Sequence, residues 1–266
     1  MKYFDKQNNR LVFIGNKATP DFWDNLWDNG EIRKAIEKGR SNRFVSDNTK
    51  QFIPAPPSRK ILEGGCGTGQ FVYSLSLAGY DAYGIDFAEK TVKKINEAMP
   101  DMKVSVGDVR NIPFPDSFFD GYWSLGVIEH FFDGYGPITR EMTRVIKPGG
   151  YLFLTFPYMS PLRRLKAMLG SYPRFRDGQA DIKDFYQFAL DHRRTVQDIE
   201  KSGFVLVHRK SFDGIKGLKD EIGIIKPMLQ RVYDGKSSVS RLVSGAISIV
   251  FSPVSSHSIL LIFRKV

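Results

Sequence analysis

The spacing of apolar residues alternates between two periods along residues 59–155. Short apolar runs predict buried strands, and apolar residues three and four positions apart predict helices. The predicted strands run over residues 59–64, 81–85, 103–106, 121–125 and 151–155. The predicted helices run over residues 71–78, 89–99 and 139–145. Strands joined by helical crossovers form a parallel sheet with helices on both faces, so the pattern predicts a doubly wound α/β fold.

The pattern continues after an interruption. A helix is predicted over residues 195–201 with Thr195 as its N-cap, followed by strands over residues 204–209 and 258–263. The stretch 156–194 is irregular and rich in aromatic residues and arginine, and a connection of that length usually has a function. We therefore expect residues 156–194 and 211–256 to form a substrate-side insert or lid. Its aromatic and arginine side chains would line an apolar pocket and meet an anionic group, or pack as a closed lid.

An N-terminal region precedes the first predicted strand and carries Trp23 and Trp27. A proline cluster at residues 54–57 interrupts regular secondary structure before that strand. The sequence therefore predicts an N-terminal cap over residues 1–56 and a main domain over residues 57–266.

Two segments of the second half suggest contact with a membrane surface. In residues 160–170 the apolar side chains fall on one helical face and the basic ones elsewhere, so this helix either covers the active site or lies on an anionic membrane. Residues 242–263 contain no charged side chain and are long enough to cross a bilayer, but the sequence SPVSSH predicts a turn between two shorter apolar elements. A transmembrane span is therefore disfavoured, and peripheral contact through residues 160–170 and 242–251 is the alternative.

Composition narrows the class of protein. The chain has 266 residues, 42% of them apolar and 26% charged, as in one large globular domain. Its one cysteine, Cys66, excludes an internal disulfide and a cysteine-rich zinc site. The start MKYFDKQNNR lacks the apolar core of a signal peptide, so we expect a cytoplasmic location, with peripheral binding at the inner membrane face as a variant.

Charge is distributed unevenly along the chain. Residues 1–150 carry 20 basic and 19 acidic side chains, whereas residues 151–266 carry 19 and 10. Nearly all of the net charge of +10 therefore lies in the second half. This excess favours an anionic partner there, which would be an acidic small molecule, a phospholipid surface or a nucleic acid, unless it serves only solubility.

A glycine-rich turn, ILEGGCGTGQF at residues 61–71, follows the first predicted strand and opens a helix. Such turns bring backbone N–H groups close to a ligand. The glycines follow a G-x-G-x-G spacing, because Gln70 stands where the dinucleotide fingerprint requires its third glycine. Glu63 would repel a diphosphate but favour a cationic amine, so a ligand with an amine and a carboxylate fits this turn better.

Two aspartates follow the next strands. Asp86 stands 21 positions after Gly65, where a carboxylate can accept hydrogen bonds from both ribose hydroxyls. Asp108 ends the third predicted strand, where it can accept from an exocyclic adenine amine. The implied ligand has an amino acid end, a ribose and a base.

With these motifs in this order, the sequence resembles the class I S-adenosylmethionine-dependent methyltransferases, in the type 11-like branch of small-molecule and quinone-pathway enzymes. The resemblance implies a Rossmann-like seven-stranded sheet, with six parallel strands and the last antiparallel, and S-adenosylmethionine as cofactor. It places Glu63, Gly65, Cys66, Gly67 and Gly69 around the methionine part. It further implies that Asp86 holds the ribose, Phe87 packs on adenine, Asp108 and Val109 read the adenine edge, and Ser124, Leu125 and Gly126 line the sulfonium side.

His130 lies just beyond that lining and is the candidate general base, unless it is a structural histidine at a helix start. Quinone-pathway relatives show a similar E-x-x-E-H stretch that can bind a divalent metal. Here Glu129 and His130 match but Gly126 replaces the first acid, so no metal is expected.

The predicted function is S-adenosylmethionine-dependent methyl transfer (SN2) to a small-molecule or lipid-like acceptor, with O-methylation favoured. Two alternatives stay open. One is a catalytically silent cofactor-binding protein that docks on a membrane or partner. The other is an RNA-directed methyltransferase, although one cysteine excludes two-cysteine cytosine chemistry, so nucleic acid is not the expected partner.

Overall fold

The computed structural model describes residues 1–15, 19, 22, 24, 32–54, 58–176, 184–235 and 237–266. Trp23, Trp27, Pro56 and Pro57 lie outside the described residues. The strands are β1 (Lys2–Asp5), β2 (Arg10–Ile14), β3 (Lys60–Gly64), β4 (Asp81–Asp86), β5 (Lys103–Val106), β6 (Phe119–Leu125), β7 (Ile146–Pro157), β8 (Phe185–Ala189), β9 (Phe204–Phe212) and β10 (Ser258–Lys265). The α-helices are α1 (Ile32–Glu37), α2 (Phe44–Phe52), α3 (Gln70–Leu77), α4 (Glu89–Ala98), α5 (Gly136–Val145), α6 (Pro161–Met168), α7 (His192–Glu200), α8 (Gly214–Glu221), α9 (Lys226–Asp234) and α10 (Ser238–Ser255).

Seven strands form the central sheet in the order β5-β4-β3-β6-β7-β10-β9. Neighbouring strands from β5 to β7 pair in parallel, and β10 pairs antiparallel with both β7 and β9. Since β9 therefore runs parallel to β7, six strands share one direction and only the last strand in sequence opposes them. The predicted seven-stranded, Rossmann-like sheet is confirmed.

The two faces of the sheet bury alternate residues of the same strands. Tyr122 lies in the core cluster that includes α5, whereas Trp123 lies in the cluster that includes α1 to α4. Successive side chains of a strand point to opposite faces, which explains this division. The Trp123 ring stacks on Phe153 with centroids 4.5 Å apart, and its Nε1 donates to Thr49 Oγ1 at 2.8 Å. Helices α1 and α2 of the N-terminal region therefore cover one face of the main sheet.

A second, antiparallel sheet has the order β1-β2-β8. It joins the chain start to residues 156–194, since Leu11 pairs with Ala189. The Arg10 guanidinium carbon lies 3.7 Å from the centre of the Phe188 ring. Strand β8 was not predicted, because it lies in the irregular stretch 156–194 and its partner β2 is more than 170 residues away in sequence.

Several predicted boundaries differ from those of the structure, and two of the differences have a visible local cause. Helix α7 begins at His192 and not at Thr195, because the Asp191 side chain accepts the Arg193 N–H and caps the helix three residues earlier. The turn predicted at SPVSSH begins only at Ser256, because α10 continues through Pro253. Among the described helices none is long and apolar enough to cross a membrane.

The amphipathic helix α6 turns its basic side inward and its apolar side toward the solvent. Arg163 is fully buried, while Leu165, Met168 and Leu169 are exposed. Arg163 Nε lies 3.0 Å from Glu221 Oε1, and Lys166 Nζ lies 3.0 Å from Glu221 Oε2. The buried carboxylate of α8 thus turns the basic side of α6 inward, since a buried charge needs a partner.

Candidate active site

The glycine turn connects β3 to α3 and lies against the end of β4. The N–H groups of Gly65 and Cys66 both donate to the Ile85 carbonyl, at 2.8 and 3.0 Å. Gly65 has a φ of +75°, and a Cβ there would come within 2.6 Å of Val127 Cγ2. Glycine is therefore required at this position for both conformation and space.

Asp86, at the end of β4, holds this turn in place. Its Oδ2 accepts the Gly67 N–H at 2.8 Å and its Oδ1 accepts the Ala88 N–H at 2.9 Å. Burial raises the pKa of Asp86, although these two N–H groups oppose the effect. Each carboxylate oxygen keeps a lone pair for a further donor, so the predicted hydrogen bonds to a ribose fit this geometry.

Glu63 lies beneath the turn at the end of β3 and is buried. Its Oε2 finds no hydrogen-bond partner in the part of the chain that the structure describes. Burial, and then the charge of Asp86, raise the pKa of Glu63 well above its usual value. A buried carboxyl with an unused oxygen suits a ligand that brings a cationic amine, as the methionine end of S-adenosylmethionine does.

Ser124, Leu125 and Gly126 continue the site at the end of β6. The Ser124 hydroxyl is fully buried and lacks a partner within the described ranges. Gly126 has a φ of +68°, and its N–H donates to the Thr155 carbonyl at 3.0 Å. This orphaned hydroxyl, like the Glu63 oxygen, fits a polar ligand in the position that the resemblance implies.

The predicted adenine end is more open. Phe87 is exposed at the rim, and Val109 is buried behind it. The Asp108 carboxylate is already engaged by Arg110, whose Nη2 lies 2.6 Å from Asp108 Oδ2. Hydrogen bonds from Arg110 hold the pKa of Asp108 below its usual range. A contact of Asp108 with an adenine amine would therefore share or displace the Arg110 side chain.

Two ionisable residues follow Gly126, in a turn of 3₁₀ helix at Ile128–His130. Burial raises the pKa of Glu129 to about 8, and its Oε2 has no hydrogen-bond partner among the described residues. Burial lowers the pKa of His130. His130 Nδ1 lies 2.7 Å from the Tyr186 carbonyl oxygen, and the two rings pack edge to face at 5.2 Å.

The fold brings the predicted site residues to one edge, since β3, β4 and β6 are parallel and their carboxyl ends meet there. Two residues outside the motifs join them. Asp24 accepts hydrogen bonds from Thr91 N and Oγ1, both at 2.9 Å, in the first turn of α4. Tyr186 comes from β8 and contacts His130. No periodicity or spacing indicates Asp24, which reaches the site through tertiary pairing. Tyr186 is one of the aromatic residues of the insert that the sequence predicts to line an acceptor pocket.

Most aromatic side chains predicted to line the acceptor pocket lie elsewhere. Tyr158, Phe185 and Phe188 are buried in the main core, and Tyr172 lies in a small cluster with Leu11. The neighbouring arginines Arg163 and Arg164 are likewise committed, to Glu221 and Asp191. Residues 177–183 of this insert lie outside the described residues.

The described residues contain no group of three or more His, Cys, Asp or Glu side chains that could hold a metal ion. Cys66 is buried, and burial raises the pKa of its thiol well above the usual value. Its sulfur packs where a Cβ on Gly84 would come within 2.9 Å. Cys66 therefore serves as a small residue in a tight turn.

Comparison with known proteins adds independent support. A family model described as a methyltransferase domain matches residues 62–154. Demethylmenaquinone methyltransferase from Geobacillus is 31% identical over 191 residues, which cover 62% of this chain and 79% of that protein. A Mycolicibacterium smegmatis protein named "Probable S-adenosylmethionine-dependent methyltransferase" is 30% identical over 99 residues, and the match spans 37% of this chain but only 38% of that relative.

Among solved structures, an S-adenosylmethionine-dependent methyltransferase from Mesorhizobium loti superposes with a TM-score of 0.55. It covers 88% of this chain and 100% of that chain at 16% identity, which supports the fold alone. The relative from Geobacillus extends the match beyond the core motifs. The chain therefore belongs to the class I S-adenosylmethionine-dependent methyltransferases.

Proposed function

We propose that this methyltransferase methylates a hydroxyl oxygen of a small, lipid-like acceptor, with His130 as the general base. The hydrogen bond of His130 Nδ1 carries the proposal. A carbonyl oxygen only accepts, so Nδ1 must bear the proton that it donates to Tyr186. Burial lowers the pKa of His130, so the ring is neutral at pH 7 and the basic lone pair belongs to Nε2.

The cofactor-binding residues are those already grouped at the sheet edge. Glu63 would pair with the amine, Asp86 with the ribose, and Ser124 with a polar group near the methionine end. When bound, S-adenosylmethionine supplies a methyl group that its sulfonium charge makes electrophilic. The protein's own tasks are to orient the acceptor, exclude water and remove the hydroxyl proton, and orientation alone can lower such a barrier by about 7–11 kcal/mol.

Glu129 supports an oxygen-bearing acceptor. With a pKa of about 8 its carboxyl is mostly protonated at pH 7 and can donate a hydrogen bond to an acceptor oxygen. Its Oε1 lies 3.4 Å from the position that a Cβ on Gly126 would occupy, so the carboxyl stands beside the sulfonium lining. A protonated carboxyl and a neutral histidine in one turn of 3₁₀ helix suit an acceptor that has both a carbonyl and a hydroxyl group.

Two observations support the lipid-like character of the acceptor. The Geobacillus relative is named for demethylmenaquinone, and menaquinones are lipid-soluble quinones. The ring of Tyr186 adds an aromatic surface beside His130 on which a flat acceptor could pack.

The test is the transfer of tritiated methyl groups from S-adenosylmethionine to catechol and to a bacterial lipid extract. His130→Gln should lower kcat about 100-fold or more, the usual contribution of a general base, and leave cofactor affinity unchanged. Wild-type activity should rise with pH through the pKa of His130, and this rise should be absent in the variant. Equal kcat in the two proteins would refute the base.

The same assay separates the remaining alternatives. Tight cofactor binding without any labelled acceptor would favour the catalytically silent protein. Label in RNA, with RNA binding that weakens steeply as salt rises, would favour the RNA-directed enzyme. Either result would overturn the proposed acceptor.

A further inference from the structure

Helix α10 presents its apolar side to solvent. Its apolar residues recur at the helical spacing that normally faces a core, namely at positions 239, 242–243, 246, 249–250 and 253–254. Leu242 is 76% exposed and Ile249 is 77% exposed, and Val239, Val250 and Val254 are also exposed. Among the residues of this helix whose burial the structure describes, Ser255 is the one that is buried.

The opposite side of α10 is lined by serines at four-residue intervals, and it packs against α8. A Cβ on Gly214 would come within 2.5 Å of the Ser248 carbonyl oxygen, and one on Gly217 within 1.5 Å of the Ser255 carbonyl oxygen. Ser255 Oγ also donates to the Gly214 carbonyl at 2.9 Å. The helix backbones approach so closely that bulky side chains cannot turn inward, so this packing fixes the apolar side outward.

Neighbouring elements extend the apolar surface. Helix α6 contacts α10, and its Leu165, Met168 and Leu169 are exposed. Helix α9 also contacts α10, and Met228 of α9 and the preceding Ile224 are exposed. We call α10 together with these five side chains the apolar face. Single exposed apolar residues are ordinary, whereas three adjoining elements with the same exposure mark an interaction surface.

Charges on the same part of the chain are mostly positive. Between residues 204 and 255 the exposed basic side chains that the structure describes are Arg209, Lys210, Lys226, Arg231 and Arg241. The one exposed acidic side chain there is Asp234, within the same described ranges. Helix α10 itself contains no acidic residue. Lys226, Arg231 and Arg241 lie on α9 and α10 themselves. An apolar surface that carries positive charge on the same helices is complementary to anionic lipid headgroups above an acyl layer.

We propose that the apolar face docks this methyltransferase on the surface of a bilayer that contains anionic lipid, with α10 lying in the plane of the interface. A second copy of the chain fits less well, because a two-fold interface sets each patch against itself and would bring the two sets of basic residues together. A bilayer offers the opposite charge. This docking does not depend on which acceptor is methylated.

The position of α10 relates the apolar face to the active site. The helix leads within three residues to β10, whose first residue, Ser258, pairs with Pro157 at the carboxyl end of β7. That end of the parallel strands is the edge that carries the cofactor site. Docking through α10 therefore brings this edge of the sheet toward the membrane.

The test compares sedimentation of the full-length protein with phosphatidylcholine vesicles and with vesicles containing 30% phosphatidylglycerol. We expect the wild type to bind the anionic vesicles, with affinity that falls as salt rises. The double variant L242E/I249E should lower the partition coefficient at least 10-fold. The control Leu77→Glu changes an exposed leucine of α3, outside the apolar face, and should bind as the wild type does.

Two further variants test the same proposal, and a folding control accompanies each variant. Met168→Glu alters an 83% exposed side chain of α6 and should also weaken vesicle binding, while cofactor affinity and melting temperature show that each variant folds. Arg241→Gln should lower binding to anionic vesicles about 5-fold, the contribution of one basic residue at such a surface. Binding that is absent, or unchanged by L242E/I249E, would overturn the proposal. A wild-type dimer in light scattering that L242E/I249E dissociates would also overturn it, in favour of self-association.

Discussion

Replacing Glu221 by glutamine should destabilise this protein strongly, because the carboxylate is the shared partner of three cations. Its Oε1 lies 3.0 Å from Arg163 Nε and 2.8 Å from Lys2 Nζ, and its Oε2 lies 3.0 Å from Lys166 Nζ. Tyr172 donates its hydroxyl hydrogen to the same carboxylate. The side chains of Arg163 and Glu221 are both 1% exposed, so the glutamine would leave a buried guanidinium without its counter-charge.

The free-energy cost of Glu221→Gln can be obtained in two ways, which agree. Burial alone would raise the pKa of Glu221, but Arg163, Lys2 and the hydrogen bonds outweigh it and lower the pKa to about 2. Relative to an unfolded value near 4.5, this corresponds to roughly 3 kcal/mol of stability at neutral pH. Removing one partner of a buried ion pair costs about 3–5 kcal/mol. In a domain of this size the melting temperature should fall by about 6–12 °C.

Urea unfolding of the wild type and Glu221→Gln at several pH values would measure this difference. Because the folded-state pKa is lowered, the stabilisation is complete above the unfolded pKa and is lost as the pH falls through about 2. The gap between the two proteins should therefore be largest at pH 7 and about half as large at pH 3.

A matched control is Asp47→Asn in the exposed ion pair with Arg43, which should cost under about 1 kcal/mol. The reasoning would be refuted by a Glu221→Gln cost similar to that of the control. A gap that does not depend on pH would refute it equally.

Three further predictions concern the site. Asp86→Asn should raise the Kd for S-adenosylhomocysteine about 10- to 100-fold by calorimetry, since hydrogen bonds to a charged group contribute about 1.5–3 kcal/mol each, and an unchanged Kd would contradict the ribose assignment. Glu63 has a raised pKa, and a cationic amine pairs only with its ionised form, so cofactor affinity should rise as the pH rises. Calorimetry at a series of pH values should show this rise in the wild type, and its persistence in Glu63→Gln would contradict this origin. The pKa of Glu129 is raised to about 8, so ionising this carboxyl at high pH destabilises the fold. Between pH 5 and 8 the free energy of unfolding of the wild type in urea should fall by up to about 4 kcal/mol relative to that of Glu129→Gln. Parallel pH curves of the two proteins would show instead that Glu129 is ionised in the folded state.

The sequence determines the central sheet and the order of its motifs, because these depend on local patterns. The alternation of strand and helix over residues 59–155, and the glycine turn that Asp86 anchors, can be recognised within short windows of the chain. The carboxyl ends of parallel strands must then meet at one edge, so the candidate cofactor residues could be grouped before any coordinates were known.

Only the tertiary structure decides which residues lie around His130, the proposed base. Tyr186 reaches His130 because β8 pairs with an N-terminal hairpin more than 170 residues away in sequence. Glu129 has its raised pKa because it is buried, which no spacing of residues indicates. Both properties arise from contacts between distant segments, so a local pattern does not contain them.

The orientation of the two amphipathic helices is likewise not contained in the local sequence. The sequence of α6 shows an apolar and a basic side, and that of α10 an apolar and a serine side, but a helical pattern does not state which side is buried. In α6 the buried charge of Glu221 turns Arg163 inward. In α10 the close approach of the backbone to Gly214 leaves room only for the small serine side chains. The sequence thus determined that each helix has two different sides. The packing of each helix against α8 decided which side faces the solvent, because electrostatic pairing and backbone contact with α8 outweigh the burial of apolar side chains.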